Sequence, residues 1–454
     1  TFSSASYIGG LVGVAESLHG FRWPDGFPGR SGTVDLYGDG RLRLLMLAHV
    51  DHLLPDCTMP PLADTTVGYR PAQRIVDVGF KRLPKEYAEL FAATAAGSSP
   101  SEYAALRLDA SAAETAKPQT VEFNPPEIYF PALMTGFLRH GRGPRGTTLA
   151  LTVSPDGGHR HHDNLALFYA DRGRTILGDQ GYVCDTPMNR WIRSTGSHNL
   201  VVVDDGDQPR RRRPRLDLMA TSPTVSVVEA SSQVYEPCDQ YRRTVALVKG
   251  PGAETFAVDV FRVGGGKKHA YRVFSELASS DAPQGKLRFE GLKMPPEPPL
   301  PQVAGSTAPE DIFGLRDVRA ADQPSSAWQA TWSQADRSYR LWSLSQVDRV
   351  EASNGPGQED RSQVGRRVRY VDLVRSGDGL ASVFVVVHEP SGADGKWPIR
   401  SARRLDVPPE AGPQAVAVAV DSDWGQYLFL SDFAKETQID GVRFAGSFGV
   451  LCRT

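Results

Sequence analysis

The stretch that decides the fold runs from Gly157 to Asn199 and reads GGHRHHDNLALFYADRGRTILGDQGYVCDTPMNRWIRSTGSHN. A dense histidine cluster opens it, and the alternating apolar run from Leu165 to Tyr169 then predicts a β-strand. Asp171-Arg172-Gly173-Arg174 predicts the turn of a hairpin, and Thr175 to Leu177 starts the returning strand.

The returning strand ends at Asp179-Gln180-Gly181, and His198 comes just before a third apolar strand, Leu200 to Val203. Residues that can bind a metal or carry a proton therefore stand near the ends of three strands, where they can meet in space. The stretch predicts a metal and acid/base site built on a β-sheet.

The histidine cluster has the form His159-x-His161-x-Asp163. On a strand, a spacing of two places all three side chains on one face. Imidazoles and a carboxylate suit zinc or a similar divalent ion, although a polar turn explains this motif alone equally well. Adding Asp179 and His198 favours the metal, and the neighbouring glycines Gly157, Gly158 and Gly181 would allow close approach of a ligand.

The composition sets weaker limits on the number of domains and on the class of function. The chain has 454 residues, enough for two or three domains, and its 51 basic and 53 acidic residues nearly balance, which gives no argument for nucleic acid or a membrane surface. No apolar run approaches the ~20 residues needed to cross a bilayer. The 4 cysteines are widely spaced without a CxxC pair, which excludes a disulfide-dense scaffold and a thiolate zinc site. Because the first residue is Thr, we expect a processed or partial product.

The periodicity divides the chain into a helical part, residues 1–115, and an antiparallel β part, residues 116–454. Helical spacing predicts helices from Ile8 to Leu18, from Arg41 to Leu54 and from Pro84 to Ala96, and a capping box at Ser99–Glu102 predicts another. After residue 118 the apolar period changes to two, with many turn signals. A proline-rich segment suggests a subdivision near 294–310, although a long loop explains it equally well.

The motifs of this stretch resemble those of a known family, the heparinase II/III-like polysaccharide lyases. The family pattern appears as Gly158-His159-Arg160-His161-His162-Asp163, then Asp179-Gln180-Gly181, then His198-Asn199. Tyr241-Arg242-Arg243-Thr244 and the strand Val260 to Gly265 are also similar to later strands of the family. The resemblance covers about residues 1–280 and is strongest from 128 to 265.

The resemblance implies an α+β fold in which the end of an incomplete (α/α) toroid precedes layered antiparallel β-sheets of the β-sandwich type. In the family the glycan lies in the cleft between these parts. Several helical pairs of the toroid are absent here, so the resemblance implies a missing N-terminal toroid segment. It also implies a periplasmic or secreted protein.

Roles carry over from the family residue by residue. His161, Asp179 and His198 match the metal ligands, which implies a structural divalent ion, zinc by preference. His159 and Tyr182 match residues that face the substrate. Tyr7 occupies the place of a catalytic tyrosine of the toroid but lacks the Glu-Gly that precedes it in the family, and a buried aromatic at a helix start explains it equally well.

Several cationic residues allow two interpretations. The basic run Arg210–Arg213 could hold an anionic polysaccharide, but a solvated loop is the more usual state of such a run. Arg190 and Arg193 could reach the cleft or be ordinary surface residues. His269, at a strand start, is best explained as a partly buried structural histidine.

The implied function is a lyase that cleaves a uronate-containing anionic polysaccharide by β-elimination. A uronyl C5-epimerase would use the same residues, and a non-catalytic glycan-binding protein would use the metal only to hold loops together. A metal hydrolase is disfavoured because no carboxylate pair or nucleophile elbow accompanies the site.

Overall fold

The structure is a computed structural model that describes residues 2–30, 32–38, 40–95, 122–131, 133–153, 159–183, 188–209, 214–280, 285–300, 314–322, 324, 327–334, 336–357, 366–392 and 395–453. Side chains are described from residue 8 onward within the first helix.

Four helices form the N-terminal part: α1 Phe2–Leu18, α2 Gly40–Asp51, α3 Gln73–Arg82 and α4 Pro84–Ala95. The helical patterns predict α1, α2 and α4, whereas α3 is an additional helix. It packs tightly on α4, because a Cβ at Gly79 would lie 2.2 Å from the ring of Tyr87. The hydroxyl of Tyr87 in turn donates to the carbonyl of Met46 in α2 at 2.9 Å. The helix predicted at Ser99 lies outside the described residues.

The rest of the described chain is almost entirely β-structure, in which every strand pairs antiparallel to its neighbours. The strands are β1 Ile128–Phe130, β2 Thr135–His140, β3 Thr147–Thr152, β4 Leu167–Asp171, β5 Arg174–Leu177, β6 Val201–Val203, β7 Pro214–Ala220, β8 Val225–Ser232, β9 Cys238–Lys249, β10 Thr255–Gly265, β11 Lys268–Ser279, β12 Lys286–Glu290, β13 Arg316–Asp322, β14 Trp328–Gln334, β15 Arg337–Ser343, β16 Arg349–Pro356, β17 Arg367–Ser376, β18 Ala381–Pro390, β19 Ile399–Leu405, β20 Val416–Ser422, β21 Gly425–Ile439 and β22 Val442–Arg453.

These strands form four sheets. The first is five-stranded, β1-β2-β3-β4-β5, and the second is eight-stranded, β12-β14-β15-β18-β10-β9-β8-β7. The third is five-stranded, β13-β16-β17-β11-β6, and the fourth is four-stranded, β19-β20-β21-β22. Strands from both sides of residues 294–310 pair within the eight-stranded sheet, for example β12 with β14.

The eight-stranded sheet has an apolar surface on both faces, as its period-two alternation requires. Val245 and Leu247 belong to a large core shared with the two five-stranded sheets, whereas their neighbours Ala246 and Val248 belong to a second core shared with the four-stranded sheet. Adjacent residues of one strand therefore serve two different layers.

A smaller apolar cluster joins the helical part to the first five-stranded sheet. Leu54 and Leu62, from the loop after α2, pack there with Phe130, Phe137 and Phe168. This contact holds the loop of residues 54–65 against the sheet that carries the Gly157–Asn199 stretch.

Candidate metal centre and acid/base site

The predicted hairpin in the deciding stretch is confirmed. Asp171 pairs with Arg174 across a two-residue turn, and Arg172 and Gly173 have φ values of 45° and 76°. Two consecutive positive φ angles are the mark of the tight hairpin turn whose twist matches paired strands. The hairpin carries the chain back to Asp179, which follows the end of β5.

The placement of the histidine motif on a strand is wrong. Residues 159–166 form a loop, and β4 begins only at Leu167. Leu165 has a φ of 62°, and the amide of Ala166 donates to the carbonyl of Asp163 at 3.0 Å, so the backbone turns instead of extending. As a result the motif divides: the side chain of His159 is 73% exposed, whereas that of His161 is buried.

His161, Asp179 and His198 meet in the interior of the protein, with one potential ligand atom of each within 4.8 Å of the others. Nδ1 of His161 lies 3.3 Å from Nε2 of His198. The carboxylate oxygens of Asp179 lie 3.8 Å from His161 Nδ1 and 3.7 Å from His198 Nε2. Asp163 is also buried and acts on the three by its charge.

The outer nitrogen of each ring has a partner that sets its tautomer. Nδ1 of His198 donates to the carbonyl of Ser194 at 2.8 Å, which leaves the Nε2 lone pair facing the cluster. Nε2 of His161 faces an oxygen of Asp64 at 3.3 Å, which leaves its Nδ1 lone pair facing the cluster. Two lone pairs and a carboxylate thus converge, and such outer partners are typical of metal-binding histidines.

The donor set fits a divalent metal ion of the zinc type. Zinc–nitrogen bonds of about 2.0–2.1 Å in a tetrahedral site place two nitrogens about 3.3–3.4 Å apart. The 3.3 Å between the two imidazole nitrogens equals that edge. The three groups can therefore hold a metal.

Burial controls the charges of the cluster. It lowers the pKa of His198 to about 4, so this ring is neutral near pH 7 and its lone pair is available. It raises the pKa of Asp179 to about 7, against the opposing charge of His161. Burial also acts to lower the pKa of His161, but the hydrogen bond with Asp64 and the charge of Asp179 outweigh it, so the pKa is raised overall.

The sequence gives no indication of Asp64, which comes from the loop between α2 and α3. Oδ2 of Asp64 lies 2.8 Å from Nδ1 of His159, and Oδ1 is the partner of His161 described above. The two contacts span 95 and 97 residues of sequence. No motif surrounds Asp64, so only the fold brings it to the histidines.

Asn199 and Arg243 stabilise the site by hydrogen bonds to the backbone around it. The side chain of Asn199 donates to the carbonyl of Gly178 at 2.9 Å and accepts from the amide of Phe274 at 2.8 Å, which links the end of β5 to β11. Nη1 of Arg243 donates to the carbonyls of Leu165 and Asn199, both at 2.7 Å. The site therefore lies where the two five-stranded sheets meet.

The space beside Gly181 is occupied by protein backbone and not by a ligand. Its φ is 62°, and a Cβ there would lie 2.4 Å from the carbonyl oxygen of Thr65. Tyr182 follows directly and is half-buried. The close approach presses the Asp179-Gln180-Gly181 turn against the loop that carries Asp64.

The remaining predicted residues lie around this centre or outside the described residues. Arg190 is exposed on a short helix, α5 Asn189–Ile192, and the half-buried Arg193 acts on Asp64 by its charge. The side chain of Tyr7 and the run Arg210–Arg213 lie outside the described residues. His269 is confirmed as structural: it is buried, with Ser382 Oγ at 2.8 Å and the Gly265 carbonyl at 2.6 Å.

Residues 124–291 match the family model described as heparinase II/III-like, C-terminal. These residues are therefore similar to the C-terminal domain of the heparinase II/III-like family. The matched segment contains His159, His161, Asp179 and His198, which confirms the resemblance drawn from their spacing. A search of curated proteins finds no match to the chain.

Solved structures share the fold over most of the chain. A heparinase III structure is 14% identical with a TM-score of 0.58, and the alignment covers 87% of this chain and 53% of that one. The heparan sulfate lyase HepC from Pedobacter heparinus is 14% identical with a TM-score of 0.56, again covering 87% of this chain and 53% of that one. The chain therefore spans about half the length of these structures. Among the described residues, no helix is long and apolar enough to cross a membrane.

Proposed function

We propose that this chain is part of a polysaccharide lyase that cleaves a uronate-containing anionic polysaccharide by β-elimination. The observation that carries the proposal is an exposed histidine, His159, held beside a buried cluster suited to a metal, within a segment that matches the heparinase II/III-like model. The printed names of the similar structures, a heparinase III and a heparan sulfate lyase, support an anionic glycan as the substrate class.

The reaction has three chemical requirements. The carboxylate of the uronate must be neutralised so that the C5 proton becomes acidic, and a base must remove that proton. The electron pair then forms the C4=C5 double bond while the C4–O4 bond breaks, and an acid protonates the departing oxygen.

His159 and Tyr182 are proposed for the proton transfers, with Tyr7 as a third candidate. Nδ1 of His159 donates to Asp64, so Nε2 is the nitrogen that can accept a proton. Arg190 and Arg193 are proposed to bind the substrate's anionic groups, and the run Arg210–Arg213 is a further candidate for that role.

Zinc is the proposed metal, held by His161, Asp179 and His198. When bound it would neutralise the converging lone pairs and fix the three loops that carry these residues, a structural role. Elimination needs no metal-bound nucleophile, so the proton transfers stay with the side chains.

The finer architecture follows the same proposal. Residues 1–115 would be the end of an (α/α) toroid, and residues 116–454 a β part of the β-sandwich type. The whole protein would carry a further N-terminal toroid segment and would act in the periplasm or outside the cell.

A C5-epimerase and a glycan-binding protein are the alternatives, and one experiment separates all three. The protein is incubated with heparan sulfate, chondroitin sulfate and alginate, and ultraviolet absorbance is followed for the C4=C5 double bond. A rise in absorbance that His159→Ala abolishes supports the lyase. Altered sugar stereochemistry without absorbance identifies an epimerase, and binding that His159→Ala leaves intact identifies a binding protein. Either result, or no effect on any of these glycans, contradicts the proposal.

A further inference from the structure

The carboxylate of Asp64 contacts two histidines of the site at once, one with each oxygen. A carboxylate only accepts hydrogen bonds, so both imidazoles must present an N–H to it. His159 then presents Nδ1–H and keeps Nε2 for chemistry, while His161 presents Nε2–H and keeps Nδ1 for the buried cluster. One side chain thus selects the tautomer of both rings.

The loop that carries Asp64 is held in place from several sides. The amide of Leu54 donates to the carbonyl of Thr58 at 2.8 Å, and the amide of Met59 donates to the carbonyl of Tyr69 at 2.8 Å. Ala63, immediately before Asp64, has a φ of 51°, a backbone conformation that persists only where the surroundings impose it. Behind the loop, the carbonyl of Thr65 sits against Gly181.

The two histidines differ in how much they need this contact. The ring of His161 is enclosed, but the ring of His159 is 73% exposed and lies on a loop. The side chain of Asp64 is only 9% exposed, so the surrounding atoms fix its position and it can hold the exposed ring of His159. Without it, packing alone would leave an exposed imidazole free to change rotamer and tautomer.

We infer that Asp64 is a positioning residue that ties the exposed His159 to the buried His161–Asp179–His198 cluster, so that the helical part completes a site whose other groups come from the β part. The inference rests on the proposed function only for the role of His159 in proton transfer. The link between Asp64 and His161 stands on the cluster alone.

The test compares Asp64→Asn with Asp64→Glu, and with Asp56→Asn as a matched control. An asparagine offers one acceptor and one donor, so it can satisfy only one of the two rings in its present tautomer. A glutamate keeps both acceptor oxygens. Asp56 lies in the same loop and accepts from the amide and hydroxyl of Thr58, at 3.0 and 2.6 Å.

Two readouts that do not require activity are measured: zinc affinity by competition with a chromophoric chelator, and the tautomer of His159 from histidine ¹⁵N chemical shifts, assigned with His159→Gln. Asp64→Asn should weaken zinc binding by about 10- to 100-fold, the usual loss when an outer partner of a ligand histidine is removed. It should also shift His159 away from a single tautomer, whereas Asp64→Glu recovers most of both properties and Asp56→Asn changes neither.

Wild-type zinc affinity together with an unchanged His159 spectrum in Asp64→Asn would overturn the inference. If Asp64→Asn does not fold, Asp64→Ala takes its place: weaker zinc binding with a mixed His159 tautomer supports the inference, and wild-type values of both contradict it. Failure of the lyase proposal is distinguishable, since the glycans would then stay uncleaved by the wild type while the zinc and tautomer effects persist.

Discussion

Two of the buried polar clusters among the described residues are built on opposite principles. The first is the His161–Asp179–His198 cluster. The second, which we call the Arg243 cluster, consists of Arg243, Asp259, Tyr271, Tyr339 and His388, all on strands of the eight-stranded and second five-stranded sheets and all buried.

In the Arg243 cluster every strong donor meets an acceptor. Nη2 of Arg243 lies 2.6 Å from Oδ2 of Asp259, and the hydroxyl of Tyr271 donates to the same oxygen at 2.5 Å. Burial acts to raise the pKa of Asp259, but the positive charge of Arg243 outweighs it and holds the pKa well below its usual range. Charges and hydrogen bonds are complete within the protein.

In the histidine cluster, potential metal ligands face one another instead. Nδ1 of His161 lies 3.3 Å from Nε2 of His198, and the carboxylate of Asp179 lies 3.8 Å and 3.7 Å from these two nitrogens. The comparison teaches that burial alone does not mark a functional site. A cluster whose donors and acceptors pair within the protein stabilises the fold, whereas one in which three potential ligands converge can hold an ion.

The largest expected effect is loss of stability when the complete cluster is broken. Asp259→Asn leaves the buried guanidinium of Arg243 without its counter-charge, which typically costs about 3–5 kcal/mol. Urea unfolding should show that loss in the free energy of unfolding. A loss below about 1 kcal/mol would show that the Arg243 cluster does not stabilise the fold as argued.

A smaller effect comes from His49 and His52, two buried histidines that belong to neither cluster. Burial lowers the pKa of His49 to about 3, against about 6.5 in an unfolded chain. Because the folded value is the lower one, its contribution is present above pH 6.5 and is lost as the pH falls towards 3. Between pH 7 and pH 5 the wild type should lose about 1–2 kcal/mol more than His49→Leu.

Urea unfolding of both proteins at the two pH values measures this difference. Parallel losses in wild type and His49→Leu would mean that His49 takes up protons as readily in the folded chain as in the unfolded one. His388 provides the contrast, since burial lowers its pKa but the hydrogen bond and charge of Asp259 oppose that effect.

The groups of the site that sequence predicts are those carried by local patterns. The turn residues Arg172 and Gly173 specify the hairpin, and the histidine spacing with Asp179 and His198 marks the cluster. The predicted strand through His159 fails because Leu165 adopts a positive φ, which apolar alternation does not reveal. Asp64 is invisible in the sequence because its partners His159 and His161 lie 95 and 97 residues along the chain.

The same limit applies to the fold. The apolar pattern predicts strands at Tyr241–Val248 and Thr255–Val263, which β9 and β10 confirm, whereas it predicts no strand over β22. Its residues Ala445 to Ser447 are all exposed, so burial gives them no alternating pattern, and pairing with β21 makes them part of a strand. Helix α3 is missed although Ile75, Val76 and Val78 are buried on it, because the helix is only 10 residues long.

The central claim is that the converging cluster, and not another histidine group, binds a divalent metal. The direct measurement is the number of zinc ions retained per chain after zinc loading and exhaustive dialysis. It is made on wild type, His198→Ala and the control His19→Ala, which changes an exposed histidine just after α1. The account predicts one ion per chain in wild type and control and none in His198→Ala. No retained zinc in the wild type, or equal zinc in His198→Ala, would contradict it.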